Sequence, residues 1–338
     1  MTTSDPQKVP REVLETLRQG NRFLLTSHMN PDGDAIGSEL GMARLLRSLG
    51  KGSVVWNRDE TPTVFTRMPG ADRIHVGEEP PAGFPDRFDG ILPLECPGLE
   101  RCGLEEKLLA SGLPILNIDH HLGNQHYGAV NWVDPGAPAV GEMVFRISQA
   151  LKMQLDEDTA NGLFLALVTD TGGFRFSNAT VAAFEAAAAL VESGARPELV
   201  SQWLYESRPE ANLRLLEQML GSLELHAGGR VATAQLTGEM YETAGASHSD
   251  AEGLISYPRS IAGVEAVALV REIDSGDGTA PRSKVSLRSR GDVSVEEIAR
   301  RHGGGGHKNA AGYEADGDTA TVAAGAADEL AEALGTSS

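Results

Sequence analysis

Ser27-His28-Met29-Asn30-Pro31-Asp32-Gly33-Asp34-Ala35-Ile36-Gly37-Ser38 places one imidazole and two carboxylates within seven residues, 28–34. An apolar run, Phe23-Leu24-Leu25, precedes it. Behind it, Ile36, Leu40, Ala43, Leu46 and Leu49 recur at helical spacings, and Gly50 stands where a C-terminal cap belongs. The stretch therefore predicts strand, tight loop, helix. Asn30-Pro31-Asp32-Gly33 is turn chemistry, and Asp34 is the expected N-cap. His28, Asp32 and Asp34 then leave the C-terminal edge of a strand, the edge that binds ligands in open α/β sheets. Two acids in a turn also suit turn-shaping alone. What argues for chemistry is that the arrangement recurs.

Three later apolar runs also hand over to an acid or a histidine. Ile91-Leu92-Pro93-Leu94 ends in Glu95, with Pro93 predicting an edge, a bulge or an early end. The run 114–118 ends in Asp119-His120-His121, and 162–169 ends in Asp170-Thr171-Gly172. The last run suits a helix as well as a strand. Parallel strands separated by helices would gather these ends on one rim of one sheet.

The chain has 338 residues and 41% hydrophobic residues, enough for two domains with real cores. Its first nine residues lack the apolar segment of a secretion signal, and no run approaches the ~20 apolar residues that cross a bilayer. Two cysteines, Cys96 and Cys102, make neither a zinc site nor a disulfide framework, so a cytoplasmic setting and no membrane partner are expected. The net charge of −19 repels long polyanions and disfavours long DNA or RNA. A local excess stands against it: seven Lys or Arg and three acids in 281–308, enclosing a run of glycines. This segment is a candidate anion site for a small substrate.

Helices are expected at 11–20 and 178–191, and further helices fill 195–221. From 223 the pattern changes to strand pairs broken by glycine: 223–226, 231–236, 264–272 and 284–288, with a hairpin tip at 276–279. Helices at 293–301 and 321–334 close the chain. The expected fold is α/β: a mostly parallel-sheet domain with flanking helices over 11–192, a stiff helical linker over 193–221, and a smaller α/β domain over 222–335.

His28, Asp32, Asp34, Glu95, His120 and Asp170 offer four carboxylates and two imidazoles. Such an oxygen-rich set suits Mn²⁺, with Mg²⁺ as the alternative, and lacks the thiolates of structural zinc. Converging carboxylates repel unless cations neutralise them. Two divalent ions would do so while clamping a phosphoryl group. Asp119 then suits orienting an imidazole, and His121 suits proton donation to substrate.

His28 to Ser38, Asp119-His120-His121 and Asp170-Thr171-Gly172 resemble the motifs of the DHH phosphoesterases. The run 303–312, Gly-Gly-Gly-Gly-His-Lys-Asn-Ala-Ala-Gly, resembles the signature of their DHHA1 C-terminal domain. Length and motif order look most like the nanoRNase/pAp phosphatase subfamily. The resemblance implies one Mn²⁺ on His28 and Asp32, another on Asp34, His120 and Asp170, and a bridging acid at Glu95, where the family has Asp. It implies that the second domain grips the nucleotide through Gly304, Gly305, Gly306 and His307, aided by Arg259, Arg288 and Arg290. Arg175, after Asp170, is a further candidate for the phosphate, and Phe174 and Phe176 suit a base or the core.

The expected reaction is hydrolysis of short oligoribonucleotides, of the 3′-phosphate of pAp, or both. Two alternatives stay open: a cyclic or linear dinucleotide phosphodiesterase, and a nucleotide-binding regulatory protein whose metal site is weakened by Glu95. Similar proteins are commonly homodimers.

Overall fold

Phe23, Leu24 and Leu25 form a strand because both of its faces are covered. Phe23 and Leu25 point into one apolar cluster with Ile36, Leu46 and Leu92, while Leu24 points into another with Trp56, Ile91 and Leu108. A strand buried on both sides reads as an unbroken apolar run rather than an alternating one. The computed structural model describes residues 8–206, 208–251, 253–273 and 281–335. The expected hairpin tip at 276–279 lies outside them.

Contacts divide the chain into two units, Met1–Ser207 and Arg208–Ser338. The first holds α1 (Arg11–Gln19), β1 (Arg22–Thr26), α2 (Gly33–Ser48), β2 (Gly52–Asn57), β3 (His75–Val76), β4 (Gly90–Pro93), α3 (Glu105–Ala110), β5 (Leu116–Asp119), β6 (Val130–Val133), α4 (Val140–Ala150), α5 (Glu157–Asp170), α6 (Val181–Glu192) and α7 (Pro197–Tyr205). Its four-stranded sheet runs β3-β2-β1-β4, all parallel. Parallel bridges Ile91–Ile115 and Leu94–Ile118 carry it on to β5, which pairs with β6. Pro93 is the last residue of β4 and pairs with Thr26, and the Leu94 N–H beyond it still donates to the Thr26 carbonyl at 2.9 Å.

One open choice is settled and one expectation is corrected. Residues 162–169 lie inside helix α5, not in a strand, because Asp156 caps its start through the Thr159 N–H at 2.7 Å and its flanks are covered by α2, α4 and α6. The N-cap of α2 is Asp32, which accepts the Ala35 N–H at 3.0 Å, and Asp34 is turned inward. Helix α2 lies against α5 along a stripe of glycines. A Cβ on Gly37 would stand 2.4 Å from the Gly162 carbonyl oxygen, and one on Gly33 would meet the Thr169 side chain.

The second unit holds α8 (Glu210–Gly221), β7 (Glu224–His226), β8 (Val231–Leu236), α9 (Gly238–Ala244), α10 (Ser256–Arg259), β9 (Ala266–Ile273), β10 (Arg282–Ser289), α11 (Val295–Arg301), β11 (Gly305–His307), β12 (Ala310–Asp316) and α12 (Thr319–Ala333). The six-stranded sheet runs β11-β12-β10-β9-β8-β7 and is mixed, β8 and β9 being parallel. Alternation sorts its faces. Ala268, Val270, Val285 and Leu287 pack under α11 and α12, and Ala232, Ala234, Val267 and Leu269 pack under α8 and α9. The helical stretch 195–221 is thus shared: α7 packs on α5, and α8 packs on α9.

Candidate metal centre

Strand β1 ends at Thr26, and the chain turns through His28 into α2. His28 Nδ1 lies 2.8 Å from the Met29 carbonyl, which leaves Nε2 facing Asp32 Oδ1 at 4.0 Å. Asp34 is fully buried. Its oxygens accept from Ser38 Oγ at 2.8 Å and from the N–H groups of Val140 and Gly141 at 2.6 and 2.9 Å.

The other groups arrive from three further element ends. Glu95 follows β4 in the left-handed backbone region, φ 57°, a conformation costly for a residue without a short polar side chain. Asp119, His120 and His121 end β5, and Asp170 ends α5. His120 Nε2 stands 3.3 Å from Glu95 Oε1 and 3.9 Å from Asp170 Oδ2. Asp34, His120 and Asp170 offer ligand atoms all within 4.8 Å of one another, as do Glu95, His120 and His121. The fold therefore gathers four of the expected residues, Asp34, Glu95, His121 and Asp170, on His120, while His28 faces Asp32, whose charge acts on Asp34, Glu95 and Asp170. Asp119 is wholly buried and holds His121 Nδ1 at 2.8 Å and the Asn124 amide at 2.7 Å.

The electrostatics mark this as a strained cluster. Burial pushes the carboxyls of Asp34 and Glu95 above their usual range, and the neighbouring carboxylates add to the rise. Burial likewise pushes Asp170 up to about 7, against the opposing charge of His120. For His120 burial alone would lower the pKa, but Glu95, Asp170 and Asp34 outweigh it and hold the imidazolium well above the usual range. Asp119 is the contrast: burial raises it, yet the hydrogen bond and charge of His121 bring it below the usual carboxylate range.

One imidazole faces two buried carboxyl groups, Asp34 and Glu95, and a partly exposed third, Asp170, which repel one another when ionised. Glu95 Oε2 is buried and has no hydrogen-bond partner among the described residues. An orphaned carboxylate oxygen beside an oxygen- and nitrogen-donor set fits hard divalent cations.

Three residues that hold this cluster escaped the sequence reading. Asn178 donates to Asp170 Oδ2 at 2.9 Å, Asn124 braces Asp119, and Ser38 braces Asp34. Arg175 is exposed, and its Nε turns back to the Gly172 carbonyl.

In the second unit the glycine run is not a free loop. Gly305, Gly306 and His307 form β11, paired with β12. A Cβ on Gly304 would meet the Gly312 carbonyl oxygen at 2.2 Å, and one on Gly306 the Ala310 carbonyl oxygen at 2.4 Å, so strand approach demands glycine at both. Gly305 faces open space. The side chain of His307 lies outside the described residues. Much of the basic excess is engaged in ion pairs: Arg282 with Glu314, Arg300 with Glu296, Arg301 with Glu329 and Lys308 with Asp292. Arg290 Nη2 donates to the Arg259 carbonyl at 2.6 Å, and Arg288 Nη1 to the Leu287 carbonyl at 2.9 Å.

Residues 22–167 match the DHH family, N-terminal domain, and residues 228–336 match the DHHA1 domain. The chain is 33% identical over 311 residues to the bifunctional oligoribonuclease and PAP phosphatase NrnA of Thermus thermophilus, covering 91% of this chain and 88% of that one.

The chain belongs to the DHH–DHHA1 family.

It is also 26% identical to NrnA of Bacillus subtilis, over 89% of this chain and 91% of that one. An exopolyphosphatase-related protein from Bacteroides fragilis superposes with a TM-score of 0.86 at 26% identity, covering 96% of both chains. The DHH match spans β1 to α5, so the family's N-terminal domain contains the elements that carry His28, Glu95 and His120.

Proposed function

We propose that this chain is a metal-dependent phosphoesterase acting on short oligoribonucleotides and on the 3′-phosphate of pAp. The observation that carries this reading is the convergence of Asp34, Glu95 and Asp170 on His120, with Glu95 Oε2 left unpartnered. The similarity to NrnA proteins along most of the chain supports the substrate class. Two buried thiols, Cys96 and Cys102, suit a reducing cytoplasm. Among the described residues no helix is long and apolar enough to cross a membrane. A homodimer is part of the same proposal.

His28, Asp32, Asp34, Glu95, His120 and Asp170 would hold two divalent cations, Mn²⁺ by preference and Mg²⁺ as the alternative. Such ions supply Lewis acidity, drawing charge from a phosphoryl group and acidifying water. His120 donates from Nδ1 to the Ala137 carbonyl at 3.0 Å, which fixes its tautomer and turns Nε2 toward the carboxylates. Asp119 orients His121 through Nδ1, so its other nitrogen would carry the proton for the leaving oxygen. Arg175, Arg259, Arg288, Arg290, Gly304, Gly305, Gly306 and His307 would bind phosphate and nucleoside. The net charge of −19 keeps long nucleic acid unfavourable.

The test is turnover by chelated, Mn²⁺-reconstituted protein of a linear diribonucleotide, pAp, cyclic di-AMP and a long RNA. Mononucleotide from the first and phosphate from the second are expected, with the long RNA spared. Turnover of cyclic di-AMP alone replaces this reading by the phosphodiesterase one. Binding without any turnover replaces it by the regulatory one.

A further inference from the structure

Eight residues entering α4, 134–141, reach three of the candidate ligands although none of the eight is itself a candidate. The Ala137 carbonyl accepts from His120 Nδ1. The Pro138 carbonyl accepts at 3.1 Å from the Asn178 amide nitrogen that also holds Asp170. The N–H groups of Val140 and Gly141 close on the two oxygens of Asp34. The orientation of an imidazole and of two carboxylates is thus written into one short length of backbone.

That backbone is tied at both ends by one side chain. Asp134 opens the segment: its N–H donates to the Asp119 carbonyl at 3.0 Å, and its Oδ1 accepts the Gly136 N–H at 3.1 Å. Its Oδ2 accepts from Arg146 Nη1 at 2.7 Å. Just past the other end, Glu142 accepts from Arg146 Nε at 2.8 Å and from Nη2. The guanidinium carbon lies 5.6 Å from the centre of the Trp132 ring. The Arg146, Asp134 and Glu142 side chains are only 10%, 11% and 10% exposed. A buried ion cluster is weak evidence for stability, because desolvation consumes most of the attraction. What a planar fork between two carboxylates does supply is geometry.

We propose that Arg146 is a positioning residue of the metal centre: by clamping Asp134 and Glu142 it fixes backbone 134–141, and through it the aim of Asp34, His120 and Asp170. The inference rests on the metal-centre reading above. Partners that orient metal ligands typically cost 10–100-fold in metal affinity when removed. Here one partner serves three ligands, so the loss should be felt without any ligand being changed.

The experiment titrates Mn²⁺ into metal-free protein without substrate, following free Mn²⁺ by electron paramagnetic resonance. Near-ultraviolet circular dichroism monitors the fold. Arg146→Met keeps the stem and removes the fork, and Arg146→Lys restores the charge with a single donor head. The expected result is an Mn²⁺ affinity about 10–100-fold weaker for Arg146→Met, partly restored in Arg146→Lys. With nucleotide varied at fixed Mn²⁺, kcat should fall more than KM changes. If Arg146→Met does not fold, Asp134→Asn makes the same comparison. Folded Arg146→Met or Asp134→Asn that binds Mn²⁺ with wild-type affinity overturns the proposal, even if its melting temperature is lower. Absence of Mn²⁺ binding by the wild-type protein overturns the underlying metal reading, and the same titration distinguishes the two.

Discussion

The carboxylate of Asp34 accepts the backbone N–H of Val140 at 2.6 Å across 106 positions of sequence. It thereby caps a helix that has no side-chain cap of its own, Ala139 being the residue at that position. One acid serves the start of α4 and the candidate centre together.

Asp34→Ala should therefore abolish the rise in melting temperature that Mn²⁺ gives the wild-type protein, and lower kcat by more than about 100-fold. Metal-dependent melting and steady-state assays check it. Full activity in this variant would remove Asp34 from the centre.

Glu95 stands at φ 57°, a region Asp enters more readily than Glu, and the residue is 2% exposed. Glu95→Asp should fold as well as the wild type and keep activity within about tenfold, since the carboxylate survives one methylene shorter. Glu95→Gln should lose more than about 100-fold, the charge facing the cations being gone. Equal activity of the two variants would deny Glu95 a charged role.

Glu39 is wholly buried and accepts from Asn57 Nδ2 at 2.9 Å, and burial pushes its carboxyl up to about 8. A pKa raised on folding means the native state binds the proton more tightly. The stability it gives is full below the unfolded value, near 4.5, and is lost as pH rises through about 8. Metal-free Glu39→Gln should match the wild type within about 1 kcal/mol at pH 5 and exceed it at pH 9, because only the wild type must then bury a charge. Urea midpoints at the two pH values check it; parallel shifts would count against a buried neutral Glu39.

Gly304→Ala must push the Gly312 carbonyl away and should cost about 2 kcal/mol or more. Gly305→Ala meets nothing within 4 Å and should leave stability within about 0.5 kcal/mol. If the nucleotide approaches this backbone, Gly305→Ala should still raise KM. Unaltered KM would restrict the glycines to strand pairing.

Much of the first unit was legible because three strands carry their apolar runs directly into a reactive residue: β1 toward His28, β4 toward Glu95 and β5 toward Asp119. Residues 162–169 were ambiguous because a helix buried on several flanks shows no polar face. The cap of α2 was misplaced by two residues because both acids flank Gly33, and only α4, distant in sequence, draws Asp34 inward. Helix α4 itself was missed for the converse reason, its cap being supplied from α2. The glycine run was expected to cradle an anion, and its steric duty to β12 has no local signal. Ion pairs such as Arg301 with Glu329 join residues far apart in sequence, so the basic segment looked less engaged than it is.

The glycine stripe between α2 and α5 limits how the centre can be retuned. Asp34 rides on one helix and Asp170 on the other, and at Gly37 the two main chains already meet with no methyl group's width to spare. Their separation is therefore a property of the scaffold and resists adjustment by small steps. Glu95 hangs from a strand end instead, so lengthening or shortening its side chain offers a route for matching the cage to ions of different radius.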